Sequence, residues 1–572
     1  MEANRKPEEI SHNILGGTDG SSIPEILKEM PNEKLIKSFY LIENTPGDTQ
    51  KRVLQDILKY AENSDFGKKL GFAEITTIDE YRKKVPISDY AYVEAVIDKL
   101  KAGESDILFN GPPASFIATS GSTGIPKLIP ESKNGELIKG LVSQIRAILL
   151  LMLAPEVMAP GKKVLAIANP SEYGKTEGGI PIGSASGQAA KDMPIEMLKK
   201  MVLPVELMLA KDLSNEATDY LTIRYALEEK HLAGVVCSNI AHFNILLKKM
   251  NTMVEDLLAD IEAGQINSKI TLNEDLRQNL DSKLAPNPQR AEELRKIFTE
   301  HKNLDVASIW PEFTVISCWM SSSAAKIVAD IKKSLPPTVK FLEWGYGASE
   351  GKFNIPDIPQ DPAGLLALFG YFFEFLPVGS ENDETVLAHE LKQGEYYELI
   401  ITSYSGLYRY NMKDIVLACG FSNQAPRIVF VSKASEYLEI QDLKLMIHQI
   451  DEYIKIVSDQ NNEEIRFYQI LLDQAQKKLV FILEPHSNTF PGDLFREGVE
   501  KTLSSENRAY QKLRSSKQLK ALEVIVMSDG YRDSLFTRSI MPGKNVNQTK
   551  LKTIVNEYPE ADSILYWTKE GE

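Results

Sequence analysis

Four short apolar runs separated by helical patterns restrict this chain more than any other feature of its sequence. Residues 163–168 (KVLAIA), 234–237, 313–319 and 339–344 each carry consecutive apolar side chains, as strands buried on both faces do. Between several of them lie stretches with apolar residues at helical spacing, at 195–201, 218–230 and 324–334. Strands alternating with helices over this length predict an α/β domain with substantial sheets. Helices precede it. Residues 48–63 put Val53, Leu54, Ile57 and Leu58 on one face, and Thr77 with Glu80 has the form of a capping box. Pro86 ends that second helix, and a third restarts at Ser88 and stops near Gly103.

From 370 to 430 closely spaced strands and turns predict an antiparallel, barrel-like β-rich subdomain. Further on, 466–472 and 478–483 read as a hairpin, flanked by helices at 443–456 and from Asp493, with a strand at 522–527. That makes a small α+β domain of ordinary size. The expected division is therefore a large N-terminal domain, 1–431, of mixed sheets, and a small mobile C-terminal domain, 432–572. A length of 572 residues suits two domains, and 43% hydrophobic with 25% charged residues provides for large buried cores.

A formal net charge of −15 argues against a nucleic-acid partner, since phosphate would be repelled over most of the surface. It does not exclude a single nucleotide held at a local basic site. Cys237, Cys318 and Cys419 are far apart in apolar runs, which reads as buried free thiols in a reducing compartment. The seven histidines show no metal-ligand spacing, and His448 reads as a core-edge residue, so no structural metal is expected. The N-terminal residues lack an apolar signal region, and the run 147–154 is too short to span a bilayer. A cytosolic monomer acting on small molecules, with no membrane partner, is the expectation.

Three segments carry chemistry. In 115–130 (SFIATSGSTGIPKLIP) a short strand runs into Thr119, Ser120, Gly121, Ser122 and Thr123, with Lys127 behind them. Glycines let the backbone approach phosphate, and hydroxyls with one lysine can hold its oxygens. The spacing is not that of a P-loop, and a Ser/Thr/Gly loop by itself is often only a turn. The second segment, Gly345-Tyr346-Gly347-Ala348-Ser349-Glu350-Gly351, follows a predicted strand. There a tyrosine can stack on a purine, small residues permit close approach, and Glu350 is suited to Mg²⁺. Read alone, it is equally a loop whose glutamate faces solvent. The third ends at Asp414, an acid at a strand edge that can accept from ribose hydroxyls or simply lie on the surface.

Taken in this order, the three segments resemble those of the acyl-adenylate-forming superfamily. More specifically, the chain resembles the auxin-responsive Gretchen Hagen family of acyl-acid amido synthetases. The resemblance runs from 39–45 (FYLIENT) through the loop with Lys127, Trp310-Pro311, 371–377 (YFFEFLP) and 397–414 (YELIITSYSGLYRYNMKD) to Asn547-Gln548-Thr549-Lys550. It implies an enzyme that uses ATP and Mg²⁺ to activate a small carboxylic acid as acyl-adenylate, then passes it to an amino acid. By the same resemblance Thr119, Ser120, Gly121, Ser122, Thr123 and Lys127 hold the phosphates, Gly345, Tyr346 and Ser349 the adenine side, and Asp414 the ribose. Glu350 holds Mg²⁺ and has a catalytic role; Lys550 neutralises charge developing at the α-phosphate, and Lys433 reaches the nucleotide. Lys544, in Pro542-Gly543-Lys544, is a rival to Lys550, which alignment through Asn547-Gln548 favours.

Two departures stand out. The family's Tyr-Arg-x-Gly-Asp is here Tyr410-Asn411-Met412-Lys413-Asp414, and Ser317-Cys318-Trp319-Met320 replaces a Thr-Gly pair, so that Trp319 either narrows the adenine or acyl pocket or, as is commoner for a Trp in a β run, lies in the core. An acyl-CoA synthetase shares the first half-reaction, but its hinge motif is absent near 431–435; a non-catalytic nucleotide-binding homologue is a third reading. The acid itself is not legible, although residues 173–186 are placed by analogy at its pocket.

Overall fold

The four apolar runs read as buried strands are strands of one sheet in the computed structural model. That structure describes residues 14–15, 21–119, 127–167, 172–183, 199–208, 210, 213–380, 382–487, 489–540 and 551–568. Strands β3 (Lys163–Ile167), β4 (Leu232–Cys237), β5 (Val315–Cys318) and β6 (Lys340–Glu343) lie in that order, all parallel. Val164, Ala166, Ala233, Val315 and Leu342 form one buried face of it, which is why the runs read as apolar without alternation. The helical patterns at 218–230 and 324–334 appear as Asn215–Glu228 and Ala324–Lys333. Most of the helix expected at 195–201 lies outside the described residues, and Met201 forms an isolated bridge to Val164.

A second sheet contains β1 (Ser115–Ala118) and β2 (Leu128–Glu131), paired antiparallel from Ser115↔Glu131 to Ala118↔Leu128. Directly after β2 runs helix α2 (Lys133–Leu153), whose first turn is capped by Ser132 accepting from the Gly135 N–H at 3.0 Å. Helix α1 (Pro46–Ala61) precedes both sheets and buries Val53, Leu54, Ile57 and Leu58, the face its periodicity marks. The capping box at Thr77 and Glu80 also forms, with both reciprocal bonds made.

The closely spaced strands form a seven-stranded sheet. At its centre are β7 (Phe372–Pro377), β8 (Tyr396–Thr402), β9 (Tyr410–Ser422) and β10 (Ala425–Lys433), with short strands at both edges. Its registered pairs are all antiparallel. Phe372, Phe373 and Phe375 are fully buried and join α1 in one core. Each such ring contributes roughly 2–3 kcal/mol by leaving water.

The chain divides into two compact units. One comprises Met1–Ser321 and Ser334–Phe430, the other Ser322–Lys333 and Val431–Glu572. The second is built on a five-stranded sheet whose middle strands are β13 (Ile465–Asp473), β14 (Lys478–Pro485) and β15 (Glu523–Met527). Alternate residues face two separate cores: Leu479, Phe481 and Leu483 one, Val480 and Ile482 the other. One expectation is corrected here. The helix expected at 443–456 begins only at α4 (Ile447–Asn461), because Leu443–Met446 is strand β12, paired with β11 (Tyr437–Ile440). Leu443 and Leu445 are buried while Lys444 between them is exposed, a period of two that precedes the helical period.

Cys237 and Cys318 are buried free thiols and Cys419 is half-buried; burial pushes Cys237 up to about 12. His448 is buried in α4, which lowers its pKa. Among the described residues no helix is long and apolar enough to cross a membrane.

Candidate functional site

The first unit brings the three motif segments together. The Thr119 N–H donates to the Lys127 carbonyl at 2.9 Å, and the Lys127 N–H donates to Thr119 Oγ1 at 3.1 Å. These bonds continue the β1–β2 ladder and close the base of the loop between them. Ser120, Gly121, Ser122 and Thr123 lie outside the described residues. Lys127 is exposed, with its ammonium 4.8 Å from the Tyr90 ring centre.

Beyond β6 the chain makes a tight hairpin, with Gly347 bridged to Lys352 and the Ala348 N–H donating to the Gly351 carbonyl at 2.8 Å. Gly345 enters it at φ 100°. A Cβ there would also lie 2.4 Å from the Arg146 guanidinium carbon, so both backbone and space demand glycine. The hairpin backbone is held from several sides. Glu343 accepts from the N–H groups of Gly345 (2.9 Å) and Met320 (2.8 Å), and Asn354 Oδ1 accepts from the Tyr346 N–H at 2.7 Å. Burial pushes Glu343 up to about 7 despite these donors.

Tyr346 is 9% exposed and stacks on Phe430 with ring centres 5.4 Å apart. Its hydroxyl donates to Asp414 Oδ2 at 2.6 Å, so the residue expected at the adenine and the one expected at the ribose are in direct contact. Burial, with Asp414 second, raises the Tyr346 phenol pKa far above its ordinary value. Glu350 is half-buried; burial first, and then the Glu350 charge, raise the pKa of Tyr410, and that charge is also the smallest of the causes that raise Tyr346. Ser349 donates from its hydroxyl to the Ala118 carbonyl at 3.2 Å, tying the hairpin to the end of β1.

The altered Tyr410–Asp414 motif keeps a turn. Lys413 takes φ 52°, the left-handed region, at the position where the family motif has glycine. Its N–H donates to Asn411 Oδ1 at 2.8 Å, and Asn411 Nδ2 donates to Glu398 at 2.9 Å. Pairing of β8 with β9 jumps from Glu398↔Ile415 to Ile400↔Asn411, so residues 412–414 bulge from the ladder with Asp414 on the bulge. The residues just before that motif are scaffold. Arg409 is buried, binds both oxygens of Glu374 and donates to the Val85 carbonyl at 3.0 Å; the Tyr408 hydroxyl donates to the Leu108 carbonyl at 2.6 Å.

Some predicted residues fall elsewhere. Lys433 is exposed and belongs to the second unit, whereas Lys544 and Lys550 lie outside the described residues, as do 184–186 of the segment placed at the acid pocket. Trp319 is half-buried immediately after β5.

Sequence reading missed the part played by α2. Arg146 donates to the carbonyls of Tyr346 (2.9 Å) and Asn354 (3.0 Å), Ser143 bonds Lys352, and Lys139 donates to the Ser349 carbonyl at 2.6 Å. Burial lowers the Arg146 pKa to about 10, which leaves it charged at neutral pH. The available signal was two cations seven residues apart, hence on one helix face, among Ile138, Leu141, Val142 and Ile145.

Among the described residues no three His, Cys, Asp or Glu side chains converge on a metal position. Mg²⁺ at a nucleotide needs only one or two protein carboxylates, the remainder being phosphate oxygens and water. Glu350, four residues after Tyr346 in the hairpin, supplies one such carboxylate.

Comparison with known proteins gives consistent likenesses. The GH3 family N-terminal domain matches residues 35–339, the GH3 family central domain 364–433, and the GH3 family C-terminal domain 441–559. The chain is 24% identical to a jasmonoyl–L-amino acid synthetase of Nicotiana attenuata, over 76% of this chain and 79% of that protein. It is 23% identical to an indole-3-acetic acid-amido synthetase of Arabidopsis thaliana, over 95% of each. The solved structure of the GH3.15 acyl acid amido synthetase superposes with a TM-score of 0.78 at 20% identity, covering 94% of this chain and 98% of that one. At that identity the match establishes a shared fold.

Proposed function

The chain belongs to the GH3 family, and from that premise we propose that it is an ATP-dependent acyl-acid amido synthetase. A carboxylic acid attacks the α-phosphate of ATP to give acyl-adenylate and pyrophosphate. An amino acid amine then attacks the mixed anhydride, and AMP leaves. The observation that supports this reading is the contact of Tyr346 with Asp414 beside Glu350, at the end of a hairpin tied to the root of the Thr119–Lys127 loop.

In this proposal the loop N–H groups and hydroxyls of residues 119–123, with Lys127, bind the phosphates, and Tyr346 faces the adenine. Asp414 accepts from the ribose. Displacing the Tyr346 hydroxyl by a ribose hydroxyl exchanges one donor to Asp414 for another, so the buried acid stays solvated by hydrogen bonds throughout. Glu350 would hold Mg²⁺, which supplies positive charge where anionic oxygens meet. Lys550 is the proposed cation for the α-phosphate, with Lys544 as its rival and Lys433 as a further nucleotide contact. The C-terminal domain, 432–572, is proposed to turn about residues 430–436 between half-reactions. The curated relatives are named for different acids at similar identity, so the acid of this chain is left as a small carboxylic acid.

The test is acid-dependent exchange of pyrophosphate into ATP across a panel of carboxylic acids, then mass spectrometry after adding amino acids or coenzyme A. Exchange followed by an amide is expected. A thioester without amide would replace this reading with a coenzyme A ligase, and no exchange with any acid would reduce the chain to a nucleotide-binding homologue. Within the same assay Lys550→Ala should lower exchange by about 100-fold or more, as loss of a preorganised cation does. If Lys544→Ala has that effect instead, the lysine assignment changes.

A further inference from the structure

A buried chain of polar contacts touches all three motif segments without containing any residue assigned above to the nucleotide except Ser349. It starts at Ser405, between β8 and β9. The Ser405 hydroxyl donates to Glu131 Oε2 at 3.3 Å and accepts from the Ser132 N–H at 3.3 Å. Glu131, the last residue of β2, is 1% exposed and is paired with Lys139, the seventh residue of α2. Lys139, 13% exposed, donates onward to the Ser349 carbonyl at 2.6 Å, the last carbonyl before Glu350. The Ser349 hydroxyl closes the circuit at Ala118, one residue before the loop. Space is reserved for this arrangement: a Cβ on Gly135 would lie 1.9 Å from Ser405 Oγ and 3.1 Å from Glu131 Oε2.

We propose that Glu131 and Lys139 are positioning residues for the nucleotide site, fixing the Ser349–Glu350 backbone against the root of the Thr119–Lys127 loop. The proposal rests on the adenylation reading. A buried ion pair is a poor device for stability alone, because desolvating two charges offsets most of their attraction. Lys139 instead spends a second donor on a backbone carbonyl 210 residues away in sequence, at the peptide that carries Glu350. A lysine on a helix can do this only if its charge is met from behind, and Glu131 meets it. Neither side chain is itself assigned to the nucleotide or the acid. Their effect is to set where the metal-binding carboxylate stands relative to the phosphate loop, and such supporting contacts commonly change metal affinity or activity by 10- to 100-fold.

The test uses the full chain and four variants: Lys139→Met, Glu131→Gln, both together, so that the double variant leaves no unpaired buried charge, and Lys139→Arg. Thermal melting, MgATP affinity by calorimetry, and the Mg²⁺ dependence and KM of pyrophosphate exchange are measured. We expect the double variant to melt close to wild type while its KM for MgATP and its half-saturating Mg²⁺ concentration rise roughly 10- to 100-fold. Lys139→Arg, which keeps the charge, should restore part of the affinity. A folded double variant with wild-type MgATP affinity and Mg²⁺ requirement overturns the inference, since a purely structural pair moves melting alone. Should the double variant fail to fold, Lys139→Met decides: wild-type MgATP affinity and Mg²⁺ requirement for it overturn the inference, and weakened values that Lys139→Arg restores in part support it. If wild type binds MgATP but exchanges with no acid, the adenylation reading fails while the affinity comparison still decides the positioning role. A wild-type chain that binds no MgATP overturns both.

Discussion

Lys413 holds a backbone conformation, φ 52°, that costs a side-chain-bearing residue roughly 1 kcal/mol and a glycine almost nothing. The chain nevertheless keeps the turn, because Asn411 replaces covalent freedom with a hydrogen bond: its carbonyl accepts from the Lys413 N–H, and Glu398 holds its amide. Two substitutions that look like damage to the motif are thus one substitution and its support. Lys413→Gly should therefore raise the melting temperature, by a gain of about 1 kcal/mol, and leave MgATP affinity unchanged. Asn411→Ala should lower both. Melting curves with and without MgATP check this, and a destabilised Lys413→Gly variant would show that the lysine side chain does more than tolerate the turn. Asp414 was legible as a candidate from the motif alone. The reason it survives the loss of its neighbours was not, because it depends on Glu398 across the sheet.

Helix α2 is the element on which the candidate site is built, and its contribution was illegible for a physical reason. Periodicity reports which face of a helix is buried but not what that face meets. Lys139 and Arg146 meet carbonyls about 200 residues further along the chain. Elements whose signal is local were read correctly: the capping box at Thr77, the apolar face of α1 and the four buried strands β3 to β6, though not their parallel pairing. The hairpin at 437–446 was lost because four residues of period two run directly into a helix. Much of the diagnostic 397–414 run proves to be buried polar scaffold, as with Arg409 and Tyr408, which explains why it identifies a fold better than a chemistry. From the α2 contact follows a prediction. Gly345→Ala would force a Cβ into the Arg146 guanidinium and a strained φ, so it should displace the Arg146 bonds and weaken MgATP binding by roughly tenfold or more. Calorimetry of the folded variant checks it; unchanged affinity would detach the hairpin geometry from nucleotide binding. A second prediction concerns the helix ending at Ile42. Glu43, just beyond it, is 1% exposed, and burial, then Asp357, pushes its carboxyl from 4.5 up to about 8. The folded chain therefore keeps a proton that the unfolded chain releases. Its stabilising effect is complete below about pH 4.5 and is lost as pH rises through about 8. Glu43→Gln should flatten the fall in melting temperature between these limits. His448 and His486, whose lowered pKa values act in the opposite sense, belong to the second unit and cancel in the variant-minus-wild-type difference.

At the scale of the whole molecule, a linear boundary near 431 describes the second unit incompletely. That unit also contains Ser322–Lys333, a segment from the middle of the chain. Its helix, α3 (Ala324–Lys333), is charged on the side that meets the rest of the unit. Asp330 pairs with Arg532 and lies 3.0 Å from His486 Nε2, Lys333 pairs with Glu464, and the Lys326 ammonium sits 3.7 Å over the Tyr468 ring. Arg532 is only 7% exposed in its side chain, so removing Asp330 would leave a nearly buried cation with only the longer contact to Asp533 at 3.4 Å. No composition shift or linker marks this segment, since it belongs to the second unit through contacts distant in sequence. A fragment beginning at Val431 should accordingly fold poorly by itself, with an early melt and exposed apolar surface around Tyr468. Adding a peptide of Ser322–Lys333 should raise its melting temperature in a concentration-dependent way, as a ligand of the folded state does. The same peptide carrying Asp330→Asn should do so weakly. If the fragment melts as one cooperative unit whether or not the peptide is present, the segment contributes nothing to the second unit's stability, and any rotation of that unit must then be described with α3 left behind.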